Sequence, residues 1–172
     1  MRRIVVLLTL GVLVLAGCAA DPATSSGEAD AAAPLPVGTG KVADLDFSAT
    51  TLSGEAFDGT ALRGRPTVLW FWAPWCPTCR AQIPGVTRLA ERHAGEVAVV
   101  GVGGLDDRAV IEELAGQIPE VTHLVDPEGE VWKHFGVTSQ SSYTVIDAEG
   151  EILVEGFLDD AAIADLVDRL AA

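Results

Sequence analysis

The chain has 172 residues, 49% of them hydrophobic and 21% charged, with a positive mean hydropathy. These values suit one domain with a real core and exclude general disorder. Acidic residues outnumber basic ones 25 to 11, a formal net charge of −14, which repels phosphate backbones and excludes nucleic acid as a partner.

Arg2 and Arg3 precede an apolar run from Ile4 to Gly17. That run falls short of the about 20 residues that span a bilayer and fits the apolar part of an export signal. The sequence Leu15-Ala16-Gly17-Cys18 resembles the bacterial lipobox, which implies cleavage before Cys18 and lipidation of its thiol. Such an anchor holds a domain at the membrane without crossing it. Residues 1–17 are therefore read as a lipoprotein signal peptide, with plain secretion or an uncleaved anchor as the alternatives. Residues 18–38 are rich in Ala, Pro, Ser, Gly and acid and are read as a disordered linker, leaving 39–172 as the folded domain.

Within that domain, Asp44 to Thr50 and Glu55 to Asp58 predict two strands around a Ser53-Gly54 turn. Thr67 to Ala73 is continuously apolar, the mark of a strand buried on both faces. A helix is predicted from Pro77 to about His93, with Ile83, Val86, Leu89 and Ala90 on one face and Pro84 inside it. Glu96 to Gly103 predicts a second buried strand. Asp106 is expected to cap a helix with Val110, Ile111, Leu114 and Ile118 on one side. His123 to Val125 follows as a short strand and Glu128 to Phe135 as a helical stretch, after an acidic turn at Asp126 read as solvated. A hairpin, Tyr143 to Asp147 with Glu151 to Glu155, precedes a last helix with Ile163, Leu166, Val167 and Leu170 on one face. Trp70, Phe71, Trp72 and Trp132 are assigned to the core, and His93 and His134 to the surface. This order specifies an α/β domain with a mixed sheet.

The chemistry-bearing segment is Trp75-Cys76-Pro77-Thr78-Cys79. Cys76 at a helix start and Cys79 three residues on place both sulfurs in the first turn. The free N–H groups and the helix dipole there favour negative charge on Cys76 and lower its pKa. Cys76 is thus the expected nucleophile, exposed at the tip, and Cys79 the covered thiol that resolves a mixed disulfide. Thr78 offers a hydroxyl toward the thiolate. Two other readings stay open: an inert disulfide, which would constrain little chain entropy, and a zinc site, which would need two ligands beyond the pair.

The segment FWAPWCPTCRAQIP resembles the active site of the thioredoxin fold. The two early strands, the inserted helix and the lipid anchor resemble the TlpA/ResA/DsbE-like branch, and most of all the actinobacterial DsbE/DsbF-type oxidoreductases. The resemblance implies a thioredoxin-like fold, a Cys76–Cys79 redox disulfide, and Trp75, Pro77, Thr78, Ser141 and Ser142 along the substrate groove. Three positions depart from the family pattern. Ser141 stands where the family has a cis-proline, and its hydroxyl is a candidate donor to a substrate or to Cys76. Trp70 stands where thioredoxin keeps a buried carboxylate, leaving water or an acid such as Glu128 to deprotonate Cys79. Gln82 stands where the family usually has Glu.

The resulting expectation is a membrane-anchored, extracytoplasmic thiol–disulfide oxidoreductase. It would work on thiols or disulfides of exported proteins together with a membrane redox partner, with no metal and no cofactor beyond its own disulfide. Its alternatives are a non-turnover lipoprotein of the same fold that binds metal or a client, and a peroxiredoxin-like antioxidant.

Overall fold

The computed structural model describes residues 38–172. The signal segment 1–17, the lipidation of Cys18 and all but the last residue of the linker lie outside the described residues. The chain is tied to the domain from Thr39 onward, whose N–H donates to the Ile152 carbonyl at 2.9 Å.

Seven strands and four α-helices follow: β1 Ser48–Thr50, β2 Ala56–Asp58, β3 Thr67–Trp72, α1 Pro77–Arg92, β4 Ala98–Gly104, α2 Arg108–Ala115, β5 Thr122–Asp126, α3 Glu130–His134, β6 Ser142–Ile146, β7 Ile152–Gly156 and α4 Asp160–Leu170. Strands β1 and β2 form a separate antiparallel hairpin, and the other five make one sheet in the order β5-β4-β3-β6-β7. β3, β4 and β5 run parallel while β6 and β7 are antiparallel, so the sheet is mixed, as the element order requires.

Every residue of β3 is buried because the strand lies at the centre of the sheet with a core on either side. Side chains alternate between the faces of a strand. Val68, Trp70 and Trp72 therefore join the core built with Val86 and Leu89 of α1, Ile111 and Leu114 of α2, and Ile163, Leu166 and Val167 of α4. Leu69 and Phe71 join the opposite core with Leu45, Phe47, Val131 and Trp132. The thioredoxin-like α/β architecture expected from the sequence is the one observed.

Four local expectations are corrected. The residue capping α2 is Asp107, without a side-chain cap bond, because the Asp106 carboxylate instead accepts from the Asp107 amide at 2.8 Å. Val110 is exposed, since it sits about 100° around the helix from Ile111, which takes the core position. His93 is buried, with Nε2 2.9 Å from the Asp168 carboxylate of α4, so the end of α1 is pinned rather than free. Asp126 is buried as well: its carboxylate accepts the N–H groups of Glu130, Val131 and Trp132 at 2.8, 2.9 and 3.1 Å, so it holds the start of α3, whose N-cap is Gly129, and is not part of a solvated turn.

Candidate active site

β3 delivers the chain to its C-terminal end, and α1 begins five residues later. Cys76 is the N-cap of α1, in extended backbone with φ −82° and ψ 113°. Its Sγ accepts the N–H of Cys79 at 3.0 Å, filling the role a serine or aspartate oxygen fills at other helix starts. Pro77 occupies the first turn, where its missing N–H costs nothing. Cys76 and Cys79 are joined as a disulfide, with Cα atoms 5.3 Å apart.

The sulfurs are less accessible than the sequence suggests. Cys76 is 2% exposed and Cys79 1%, so the expectation of an exposed Cys76 does not hold for the oxidised pair. The cause is that the Cys76 sulfur turns inward, onto the Cys79 amide and onto Ser141. Around it, Trp75 is 53% exposed, and Pro77 and Thr78 are exposed too. The Trp75 indole N–H donates to the Leu105 carbonyl at 3.0 Å. Leu105, an exposed residue with φ +60°, thus shares the rim, and nothing in its sequence context marked it.

Ser141 faces the disulfide from the loop entering β6. Its Oγ lies 3.1 Å from Cys76 Sγ and 3.2 Å from Cys79 Sγ. Disulfide sulfurs carry no proton, so the hydroxyl is the donor, its one proton shared between the two contacts. The expected hydroxyl partner of the sulfur is therefore Ser141, while Thr78 points outward and is not bonded to either cysteine. No cis peptide bond occurs among the described residues, and Ser141 has φ +65°, a region that side-chain-bearing residues rarely occupy. Its N–H donates to the Phe71 carbonyl at 2.9 Å. Ser142 is buried beside it, its hydroxyl donating to the Ser139 carbonyl at 2.9 Å, so it braces the loop and leaves the sulfurs to Ser141.

Two of the departures from the family pattern meet behind this loop. Trp70 Nε1–H donates to Gln82 Oε1 at 2.9 Å, and Gln82 Nε2–H donates to the Ser141 carbonyl at 3.3 Å. A glutamate at 82 could accept from the tryptophan but could not donate to the loop. Trp70, Gln82 and Ser141 thus form one buried chain of hydrogen bonds ending at the sulfurs. Glu128 is exposed, and no bond joins it to either cysteine. Among the described residues no three His, Cys, Asp or Glu side chains gather as a metal site would require.

A family model described as Redoxin matches residues 31–165 of this chain. The soluble secreted antigen MPT53 of Mycobacterium tuberculosis (strain ATCC 25618 / H37Rv) is 37% identical over 107 residues, which are 62% of this chain. The chain spans 61% of that relative's length. Among solved structures, MTB dsbF in its mixed oxidized and reduced forms is 43% identical with a TM-score of 0.68, over 73% of this chain and 96% of that one. A secreted Mycobacterium tuberculosis disulfide oxidoreductase homologous to E. coli DsbE is 33% identical with a TM-score of 0.67, over 73% of this chain and 97% of its own.

Proposed function

The chain belongs to the Redoxin family, and from that premise we propose that it is a DsbE/DsbF-type thiol–disulfide oxidoreductase acting on exported proteins from a lipid anchor at Cys18. The observation that carries the reading is the placement of Cys76, joined to Cys79, as the N-cap of α1 with its sulfur on the Cys79 amide. In the reduced protein that amide and the aligned dipoles of α1 stabilise charge on Cys76 as a thiolate. The thiolate attacks a client disulfide and forms a mixed disulfide. Cys79, one helical turn away, attacks Cys76 Sγ and frees the client as a thiol. The exposed Trp75 offers an apolar surface beside the nucleophile for the client chain.

The test has two parts. The first is turnover of a model disulfide such as insulin by the wild type and by Cys76→Ser. The variant is expected to lose exchange altogether, and retained activity would sink the reading. The second is the potential of the Cys76–Cys79 couple, equilibrated with glutathione. A value near the roughly −270 mV of thioredoxin makes the protein a reductant, and one toward about −120 to −180 mV a donor of disulfides.

A further inference from the structure

We propose that the Ser141 hydroxyl is a catalytic group of this exchange, carrying the proton from Cys79 to the departing client sulfur. The inference rests on the thiol–disulfide exchange proposed above and assigns a proton path within it. In the release step the Cys79–Cys76 S–S bond forms and the bond from Cys76 to the client sulfur breaks, with the electron pair leaving on the client. The proton of the Cys79 thiol passes to Ser141 Oγ as the hydroxyl's own proton passes to the client sulfur. Serine ends as it began, the client is reduced to a thiol and the cysteine pair is oxidised. Run in reverse, the same path serves disulfide donation.

The geometry is that of the state in which release ends. With the Cys76–Cys79 bond formed, Oγ lies 3.1 Å and 3.2 Å from the two sulfurs, next to both the atom that loses the proton and the atom the client has just left. With the disulfide formed Cys79 is 1% exposed and Ser141 7%, so the wild-type Ser141 hydroxyl, and not bulk water, borders the Cys79 sulfur. The other groups packed here are unsuited to the transfer. Trp70 offers only an N–H donor and Gln82 an amide. The Tyr143 hydroxyl of β6 has no hydrogen-bond partner and so touches neither sulfur. Arg80 of α1 is bound to the Pro74 carbonyl at 2.8 Å, and Asp160 of α4 faces Arg88 at 3.9 Å.

Ser141 holds this post in an unfavourable backbone region, φ +65°. The Phe71 carbonyl on its N–H and Gln82 on its carbonyl fix the peptide groups on either side, and Trp70 orients Gln82. Trp70 and Gln82 are thus positioning residues.

The experiment mixes the full-length reduced chain, in detergent, with a fluorogenic peptide disulfide and follows the second kinetic phase, client release. Ser141→Gly removes the hydroxyl, while glycine adopts φ +65° freely, so the loop keeps its path. Release is expected to slow about a hundredfold at pH 7, to recover with rising pH as hydroxide replaces the serine, and to lose its solvent deuterium isotope effect. Ser141→Ala, studied alongside, should behave alike. Gln82→Leu should slow release less and shift the pH profile in the same direction, whereas a purely structural role would leave that profile unmoved. A wild type that releases client while Ser141→Gly does so at the same rate and with the same pH profile overturns the relay alone. A wild type that forms no mixed disulfide overturns the exchange reading and the relay with it.

Discussion

His123 is where single-residue chemistry reaches stability. It is 3% exposed on β5, and neither ring nitrogen has a hydrogen-bond partner. Its ring meets Trp72 edge-on at 5.6 Å, in space left by Gly101, where a Cβ would fall 2.6 Å from His123 Nδ1. Burial pushes its pKa down from 6.5 to about 4. A group whose folded pKa is depressed binds more protons when unfolded, so stability is unaffected above pH 6.5 and is lost as the pH falls from 6.5 through about 4. At about 1.4 kcal/mol per unit the loss is about 3 kcal/mol. His123→Leu should flatten that limb in urea unfolding measured from pH 7 to pH 4, and an unchanged slope would remove His123 as its cause. At this scale the sequence shows which residues are present but not which ones meet. Trp70 and Gln82 are 12 positions apart and Gln82 and Ser141 are 59 apart, so each reads as a separate departure until the fold joins them. Burial of Cys76 is hidden for the same reason, because it depends on Ser141, 65 positions away.

At the scale of elements, Asp126 shows what a short helix requires. α3 has only five residues, too few to form alone, and three of its first N–H groups end on one carboxylate. Asp126→Ala should cost about 1–2 kcal/mol, read as a lower denaturant midpoint, with Asp126→Asn losing less. Burial raises the Asp126 pKa more than these N–H groups lower it. Acid therefore protonates it at least as readily in the folded state as in the unfolded one, so Asp126 adds nothing to the loss of stability in acid. Strands β3 and β4 and helices α1 and α4 were legible because long apolar runs and 3.6-residue stripes have one interpretation each. The start of α2 was not, because Asp106 and Asp107 are equally good caps and only the backbone decides between them. The glycines of β4, Gly101, Gly103 and Gly104, lie inside a fully buried strand. Their service is spatial: at Gly103 a Cβ would lie 2.7 Å from Trp72, and at Gly104 2.7 Å from Trp132, so the large rings close over the positions that carry no side chain.

For the molecule as a whole, the order of elements announced a mixed α/β sheet, but strand order follows from long-range pairing that no local pattern encodes. The N-terminal hairpin, for instance, stays outside the main sheet and touches it through a bridge from Thr51 to Leu124. Among the described residues no helix is long and apolar enough to cross a membrane, and the attachment proposed above is a lipid on Cys18. A clickable palmitate analogue should label the wild type in the membrane fraction, and Cys18→Ser should appear unlabelled in the medium; an unlabelled wild type would refute the anchor. The buried disulfide also decides how the domain ages. The single methionine of the chain is Met1, so the described residues hold just two sulfur atoms, and in the oxidised pair both are sealed. Damage to sulfur, from sulfenic through sulfinic to sulfonic acid or to methionine sulfoxide, begins at exposed thiolates and thioethers. In its oxidised form this domain presents neither, and its vulnerable interval is the time Cys76 spends reduced.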